Sequence, residues 1–175
     1  NSTPVRDLDN FGQSVDKGIK VYNNRGASGI DGITSTAIGI AMDSKQPTVL
    51  ITGDLSFYYD INTLVNLRNV ISTFIIVLIN NNGGGLFRAL PIASNKKYFD
   101  EYFITGQSLD FKKIVTSFGV EHKEIKSIKQ FELSFKSALK KRNALVLEIK
   151  TDSVSSLKTR QNFRKKIDQL LKQND

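Results

Sequence analysis

Apolar and polar positions divide this chain into short hydrophobic runs separated by helical patterns. Thr48-Val-Leu-Ile-Thr52 and Phe74-Ile-Ile-Val-Leu-Ile79 are β-branched runs without polar alternation, the pattern of parallel strands covered on both faces. Between them, Asp60 to Val70 predicts a helix with Asp60 as N-cap and Leu64, Leu67 and Val70 at helical spacing. The segment forms one right-handed β-α-β unit. Upstream, Ile19-Lys-Val-Tyr22 predicts a short strand. Ile33 to Ala41 predicts a small-residue helix packed closely on the sheet, with Asp31 near its start as a cap.

Beyond the second run, Leu86 to Thr105 lacks periodicity and predicts a long loop of the kind that covers a binding site. Asp110 to Phe118 predicts a helix with Phe111, Ile114, Val115 and Phe118 on one face. Gly119-Val-Glu then turns into a short strand. Lys126 to Lys141 predicts a further helix and Leu145-Val-Leu-Glu-Ile149 a last buried strand. Thr151 to Ser156 reads as a polar linker before an amphipathic helix ending at Gln173. The fold class is α/β with a mostly parallel sheet, and no internal repeat interrupts it.

Composition narrows the chemistry. The chain has 175 residues, enough for one proper core, and no cysteine, which excludes disulfides, thiolate catalysis and cysteine-ligated zinc. No run of 18 or more apolar residues occurs, so no membrane span is expected, and the lack of cysteine is compatible with the cytoplasm, the expected location. Asn1 is not an initiator methionine, and the chain is expected to be an excised part of a longer protein. The net charge of +8 is uneven: from Lys112 onward there are 16 Lys and Arg against 7 Asp and Glu. Those cations are scattered among Phe131, Phe135, Leu139, Phe163, Ile167, Leu170 and Leu171, as on solvated faces of amphipathic helices. No nucleic-acid partner is expected.

Ligands gather at the carboxyl ends of strands in open α/β sheets, which directs attention to Gly53-Asp54 and, with 26 residues between it and Asp54, to Asn81 within Asn80-Asn-Asn-Gly-Gly-Gly85. Magnesium takes hard oxygen ligands and shares them with phosphates. Asp54 offers a carboxylate, Asn81 an amide oxygen and Gly83 a carbonyl. The glycines leave room for a diphosphate to approach the main chain. Each feature alone is an ordinary turn or loop, and only their combination at this spacing suggests a site. Arg25, in a small-residue loop, suits bidentate recognition of a carboxylate or a surface ion pair. Leu86 and Phe87 could serve a ligand or the core. His122, the only histidine, reads as a surface or strand-edge residue without a role. No Ser-His-Asp or paired-carboxylate system is evident.

The acidic start and the asparagine close resemble the thiamine-diphosphate motif, which usually begins Gly-Asp-Gly; here Leu55 replaces the second glycine. With Asn24-Arg-Gly-Ala-Ser-Gly-Ile-Asp-Gly32, Gly53-Asp-Leu-Ser-Phe57 and Asn80-Asn-Asn-Gly-Gly-Gly-Leu-Phe87, the chain from Asn1 to about Lys150 resembles the 2-succinyl-5-enolpyruvyl-6-hydroxy-3-cyclohexene-1-carboxylate (SEPHCHC) synthase family of menaquinone biosynthesis.

The resemblance implies a three-layer α/β fold with helices on both faces of the sheet. Residues 1–151 would form the C-terminal thiamine-diphosphate and magnesium (or manganese) domain of a longer enzyme. Residues 152–175 would be a linker and a helix packed on it. Gly53, Asp54, Leu55, Ser56, Asn81, Gly83, Gly84, Leu86 and Phe87 would contact the cofactor, with Asp54, Asn81 and Gly83 on the metal. Arg25 would meet a substrate carboxylate, and Arg6 and Ser2 the isochorismate side. In that family 2-oxoglutarate is decarboxylated and the succinyl-semialdehyde carbanion adds to isochorismate. The partners implied are those two substrates and the pyrimidine-binding N-terminal domain of a second subunit, which brings the activating glutamate, in a homodimer or homotetramer. The alternatives are an acetolactate-synthase-like enzyme with the same cofactor, or a non-enzymatic anion-binding module.

Overall fold

The computed structural model describes residues 5–8, 12, 18–24 and 29–172. They fall into two compact units, residues 1–80 with 108–150, and residues 81–107 with 151–175.

The first unit opens with helix α1 (Ile33–Ser44), strand β1 (Thr48–Gly53) and helix α2 (Asp54–Tyr59). A 3-10 helix (Ile61–Asn69) leads to β2 (Phe74–Asn80). Residues 81–107, which contain a helix α3 described below, belong to the second unit. The first unit resumes with α4 (Phe111–Ser117), β3 (Glu121–Glu124), α5 (Ile128–Ala138) and β4 (Ala144–Lys150). The sheet order is β1-β2-β4-β3, with every pairing parallel.

The continuous apolar runs become central strands because both of their faces are covered. Phe74, Ile76 and Leu78 join Val146 in a core with Ala37, Ile38, Phe57, Leu64 and Val115. Ile75 and Val77 join Leu145, Leu147 and Ala138 in a second core on the opposite face. The result is the expected three-layer α/β arrangement, with α1 and α4 on one face and α5 on the other. Phe57 is fully buried, and burial of one such side chain contributes about 1.5–3 kcal/mol, so α2 is anchored although it is only six residues long.

Several local expectations are corrected. Ile61 to Asn69 is a 3-10 rather than an α-helix. Asn62, Thr63, Asn66 and Asn69 weaken the α-form, while three residues per turn stacks Leu64 over Leu67 on the core face. Asp60 does not cap that helix. Its carboxylate accepts from the Ser35 amide at 2.7 Å and the Ser35 hydroxyl at 2.9 Å, satisfying the first turn of α1 from another element. Asp31 is therefore not the cap: the cap position is Gly32, at φ 69° and without a side-chain bond. Ile19 to Tyr22 joins no strand of the sheet, and Ile19, Val21 and Tyr22 are exposed. β-propensity alone makes no strand without a ladder partner. Phe118, expected on the buried face of α4, is exposed while Phe111 and Val115 are buried.

In the second unit the expected loop over residues 86–105 is a string of helical turns. Two 3-10 turns (Gly85–Ala89 and Pro91–Ser94) precede α3 (Lys96–Phe99), which runs on into a π turn (Asp100–Ile104). Phe99 stacks on Phe103 at 6.0 Å, and Phe87 meets Phe103 edge-on at 5.7 Å. Arg88 lies over the Phe99 ring at 5.5 Å and donates to the Ser153 hydroxyl. The expected linker is shorter than residues 151–156, because helix α6 (Ser153–Lys172) begins two residues after β4. Asp152 accepts from the Ser155 amide at 2.7 Å and so caps it. That bond holds the Asp152 carboxyl below its ordinary value.

Candidate active site

All four strands run the same way, so their carboxyl ends share one edge of the sheet. Gly53 lies opposite Ile79, and Asn80 opposite Lys150. β1 and β2 therefore finish within one residue of each other. Asp54 follows β1 directly as the first residue of α2 and is only 6 % exposed. An acidic residue in the first turn of a helix offsets the positive end of its dipole. Gly53 and Ser56 are also buried and Leu55 is half-buried.

In the second unit, Asn81 is half-buried and Gly83 and Gly84 are buried. Gly83 has φ 124°, a region that side chains rarely enter, and a Cβ there would collide with the Ile104 carbonyl. At Gly84 it would collide with the Phe103 carbonyl. The Gly84 amide donates to Ile104 O at 2.7 Å and the Gly85 amide to Gly83 O at 2.9 Å. The glycines are thus demanded by close approach of the chain to residues 103–104. Leu86 and Phe87 are half-buried, with Phe87 in the aromatic group described above. Arg6 is exposed on a helical turn at residues 5–8. Ser2 and Arg25 lie outside the described residues.

A polar cluster that sequence reasoning missed stands at the same sheet edge of the first unit. His122 on β3, Glu148 on β4 and Asn80 on β2 form a chain: His122 Nε2 lies 2.8 Å from Glu148 Oε2, and Asn80 Nδ2 donates to Glu148 Oε1 at 2.7 Å. An ionised carboxylate only accepts, so Nε2 carries the proton. Both side chains of the His122–Glu148 pair are only 4 % exposed, so His122 lies on the edge strand, as one of its two expected placements had it, but is not a surface residue. Lys150 donates to Glu124 at 2.8 Å beside them. His122, Glu148, Glu124 and Lys150 border an open cavity of about 650 Å³ that also reaches Asp110 and Lys126.

Burial pushes the Glu148 carboxyl up, but hydrogen bonds from His122 and Asn80, with the charges of His122 and Lys150, outweigh it and hold the group below its ordinary value. A depressed carboxyl contributes stability above its unfolded value near 4.5, and that contribution is lost as pH falls through the folded value. The melting temperature of the chain is expected to drop as the solution is acidified from about pH 5 to about pH 3, and to drop less steeply in Glu148→Gln. Differential scanning calorimetry checks this, and identical slopes for the two proteins would contradict it.

Residues 13–149 match the family model described as thiamine pyrophosphate enzyme, C-terminal TPP binding domain. The chain belongs to this family of C-terminal TPP-binding domains. Among curated relatives, a SEPHCHC synthase of Bacillus velezensis is 39 % identical over 89 % of this chain and 27 % of its own length. One of Chlorobaculum parvum is 38 % identical over 96 % of this chain and 29 % of its own length. The chain thus spans a little over a quarter of the curated relatives it matches. Among solved structures, a thiamine diphosphate-dependent 4-hydroxybenzoylformate decarboxylase of Rhodococcus jostii superposes with TM-score 0.58 at 23 % identity, over 66 % of this chain and 22 % of that one, which supports the fold.

The residues of this TPP-binding domain suit the groups that its family implies. Asp54, Asn81 and the Gly83 carbonyl are all oxygen donors, the set magnesium prefers over softer metals. Among the described residues no group of three or more His, Cys, Asp and Glu is gathered as a metal cage, and a diphosphate-bound magnesium needs only one or two carboxylates. Among the described residues, no helix of the TPP-binding domain is long and apolar enough to cross a membrane. One signal could have exposed the missed cluster: Glu148 interrupts an otherwise apolar strand, and a charge in a buried strand requires partners.

Proposed function

We propose that this chain is the cofactor-binding part of a SEPHCHC synthase, a cytoplasmic enzyme that decarboxylates 2-oxoglutarate and joins the four-carbon unit to isochorismate in menaquinone biosynthesis. The observation that carries the site is the buried Asp54 placed directly after β1, where β1 and β2 end side by side. The names of relatives 39 % and 38 % identical support the specific reaction.

In this reading Asp54, the Asn81 amide oxygen and the Gly83 carbonyl hold one Mg²⁺, which manganese can replace, against the diphosphate of thiamine diphosphate. Gly53, Leu55, Ser56, Gly84, Leu86 and Phe87 line the cofactor. When bound, thiamine diphosphate supplies the carbanion-stabilising chemistry of decarboxylation and carbon–carbon bond formation. Arg25 orients a substrate carboxylate through the planar fork of its guanidinium. Arg6 and Ser2 serve isochorismate. The remainder of the enzyme, contributed by a second subunit of a homodimer or homotetramer, covers the pyrimidine ring and brings the activating glutamate.

The test is donor and acceptor choice by the complete enzyme. 2-Oxoglutarate is expected to be consumed with isochorismate in a reaction that needs magnesium and thiamine diphosphate, and pyruvate is expected to be a poor donor. Preferential turnover of pyruvate to an acetolactate-like product would assign the chain to the alternative enzyme with the same cofactor.

A further inference from the structure

Asn82 is the only asparagine of the chain that is followed by glycine. It stands between Asn81 and Gly83, the two residues proposed as metal ligands after β2, and the whole turn lies within the second unit. Its φ of 56° is in the left-handed region, which asparagine tolerates better than most residues, and it is exposed. An asparagine side chain is short enough to reach neighbouring backbone amides. Usually the next side chain screens the amide nitrogen that follows. Asn62, Asn69 and Asn95 are exposed as well, but Thr63, Val70 and Lys96 come after them. Gly83 has no Cβ to act as a screen, and the close approach of the Ile104 carbonyl, which a Cβ at this position would strike, keeps glycine there.

We propose that Asn82 is a site of spontaneous modification, at which hydrolytic deamidation dismantles the glycine turn. The Gly83 amide nitrogen attacks Asn82 Cγ. The N–Cγ bond forms, the Cγ–Nδ2 bond breaks, and the displaced nitrogen leaves as ammonia, taking the Gly83 amide proton. Water then opens the cyclic imide at either carbonyl. One opening leaves aspartate; the other leaves isoaspartate, whose main chain runs through Cβ and Cγ. No oxidant or reductant takes part. Both products put a carboxylate where an amide stood, and isoaspartate also inserts one methylene into the main chain, an extra bond of about 1.5 Å. The turn is held too closely to absorb it: the Gly84 amide donates to the Ile104 carbonyl at 2.7 Å, and the Gly85 amide to the Gly83 carbonyl at 2.9 Å. The consequence for the cofactor rests on the reading of Asn81 and Gly83 as metal ligands. Loss of even an outer partner in a metal site weakens affinity by about 10- to 100-fold, and here the ligands themselves are displaced.

The experiment incubates the complete enzyme, free of metal and cofactor, at mildly alkaline pH and body temperature. Peptide mass mapping and isoaspartyl methyltransferase labelling follow the modification. The peptide holding Asn82 is expected to gain the mass of an amide-to-acid exchange, while those holding Asn62, Asn69 and Asn95 stay unchanged. Asn82→Gln is expected to be silent, because its longer side chain closes a larger ring far more slowly. The loss is expected to quicken as pH rises, since the attacking nitrogen must shed its proton. The aged fraction, separated by ion exchange and titrated with thiamine diphosphate at saturating magnesium, is expected to bind about tenfold or more weakly than fresh enzyme.

Survival of the Asn82 amide under conditions in which an unfolded peptide of residues 79–87 loses its own would overturn the proposal, because the fold would then shield the site. Unaltered affinity in the aged fraction would overturn the dismantling of the turn. Neither outcome touches the cofactor reading. Absence of magnesium-dependent binding by fresh enzyme would overturn that reading, and the peptide map would still decide the modification.

Discussion

The 175-residue chain, purified alone and supplied with magnesium, thiamine diphosphate, 2-oxoglutarate and isochorismate, is expected to fold and to form no product above background. It holds two packed cores on the faces of a parallel sheet, so independent folding follows from its own burial. Catalysis does not, because the chain spans 27 % of the length of a relative such as the Bacillus velezensis synthase. In the proposed arrangement it contributes the diphosphate side of a site whose pyrimidine side and activating glutamate come from elsewhere. In that arrangement affinity of the chain alone for the cofactor is also expected to be weaker, since the contacts of the pyrimidine side would be missing. Addition of the remaining polypeptide in trans is expected to restore turnover. Full turnover by the chain alone would show that the half-site account is wrong.

Asp54→Ala in the complete enzyme is expected to abolish magnesium-dependent binding of thiamine diphosphate. The substitution removes the only carboxylate among the three proposed ligands and leaves the charge of metal and diphosphate without its protein counterpart. Metal sites built on one or two carboxylates depend on each of them, and loss of about 3 kcal/mol corresponds to more than a hundredfold in affinity. Asp54→Asn separates charge from shape: it keeps an oxygen donor and should bind detectably but weakly. Isothermal titration with and without a chelator measures both. Unchanged binding by Asp54→Ala would remove this residue from the site.

Much of the fold was legible where burial is simple. The runs at Thr48, Phe74 and Leu145 are strands because continuous apolar residues need cover on both faces, and the helix at Ile33 follows from small residues packed on that sheet. Legibility failed where one residue's partner is distant in sequence. Asp60 looked like a local cap, but Ser35, 25 positions away, takes its carboxylate. Ile19 and Val21 have strand propensity, which decides nothing without a neighbouring strand. The segment after the glycines looked irregular because its order comes from rings stacked four residues apart, Phe99 on Phe103 and Tyr98 near Tyr102, a spacing that apolar periodicity alone underweights.

The placement of Asp54 and Asn80 at the ends of neighbouring strands was legible for a different reason. These residues sit at strand ends, where topology alone directs ligands, and Asp54 needed no knowledge of packing to be singled out. Glu148 and His122 were not legible as a pair, because 26 residues and a strand crossover separate them. Only the sheet order β1-β2-β4-β3 places them side by side and puts Asn80 on their other flank.

The central claim is that one divalent cation and a diphosphate are held at the ends of β1 and β2. Its most direct test is anomalous diffraction from crystals of the complete enzyme grown with Mn²⁺ and thiamine diphosphate. The account predicts a single manganese peak per chain about 2.0–2.3 Å from the Asp54 carboxylate, the Asn81 amide oxygen and the Gly83 carbonyl, with the diphosphate completing its shell. An ordered cofactor whose manganese peak lies away from Asp54 and Asn81 would contradict it.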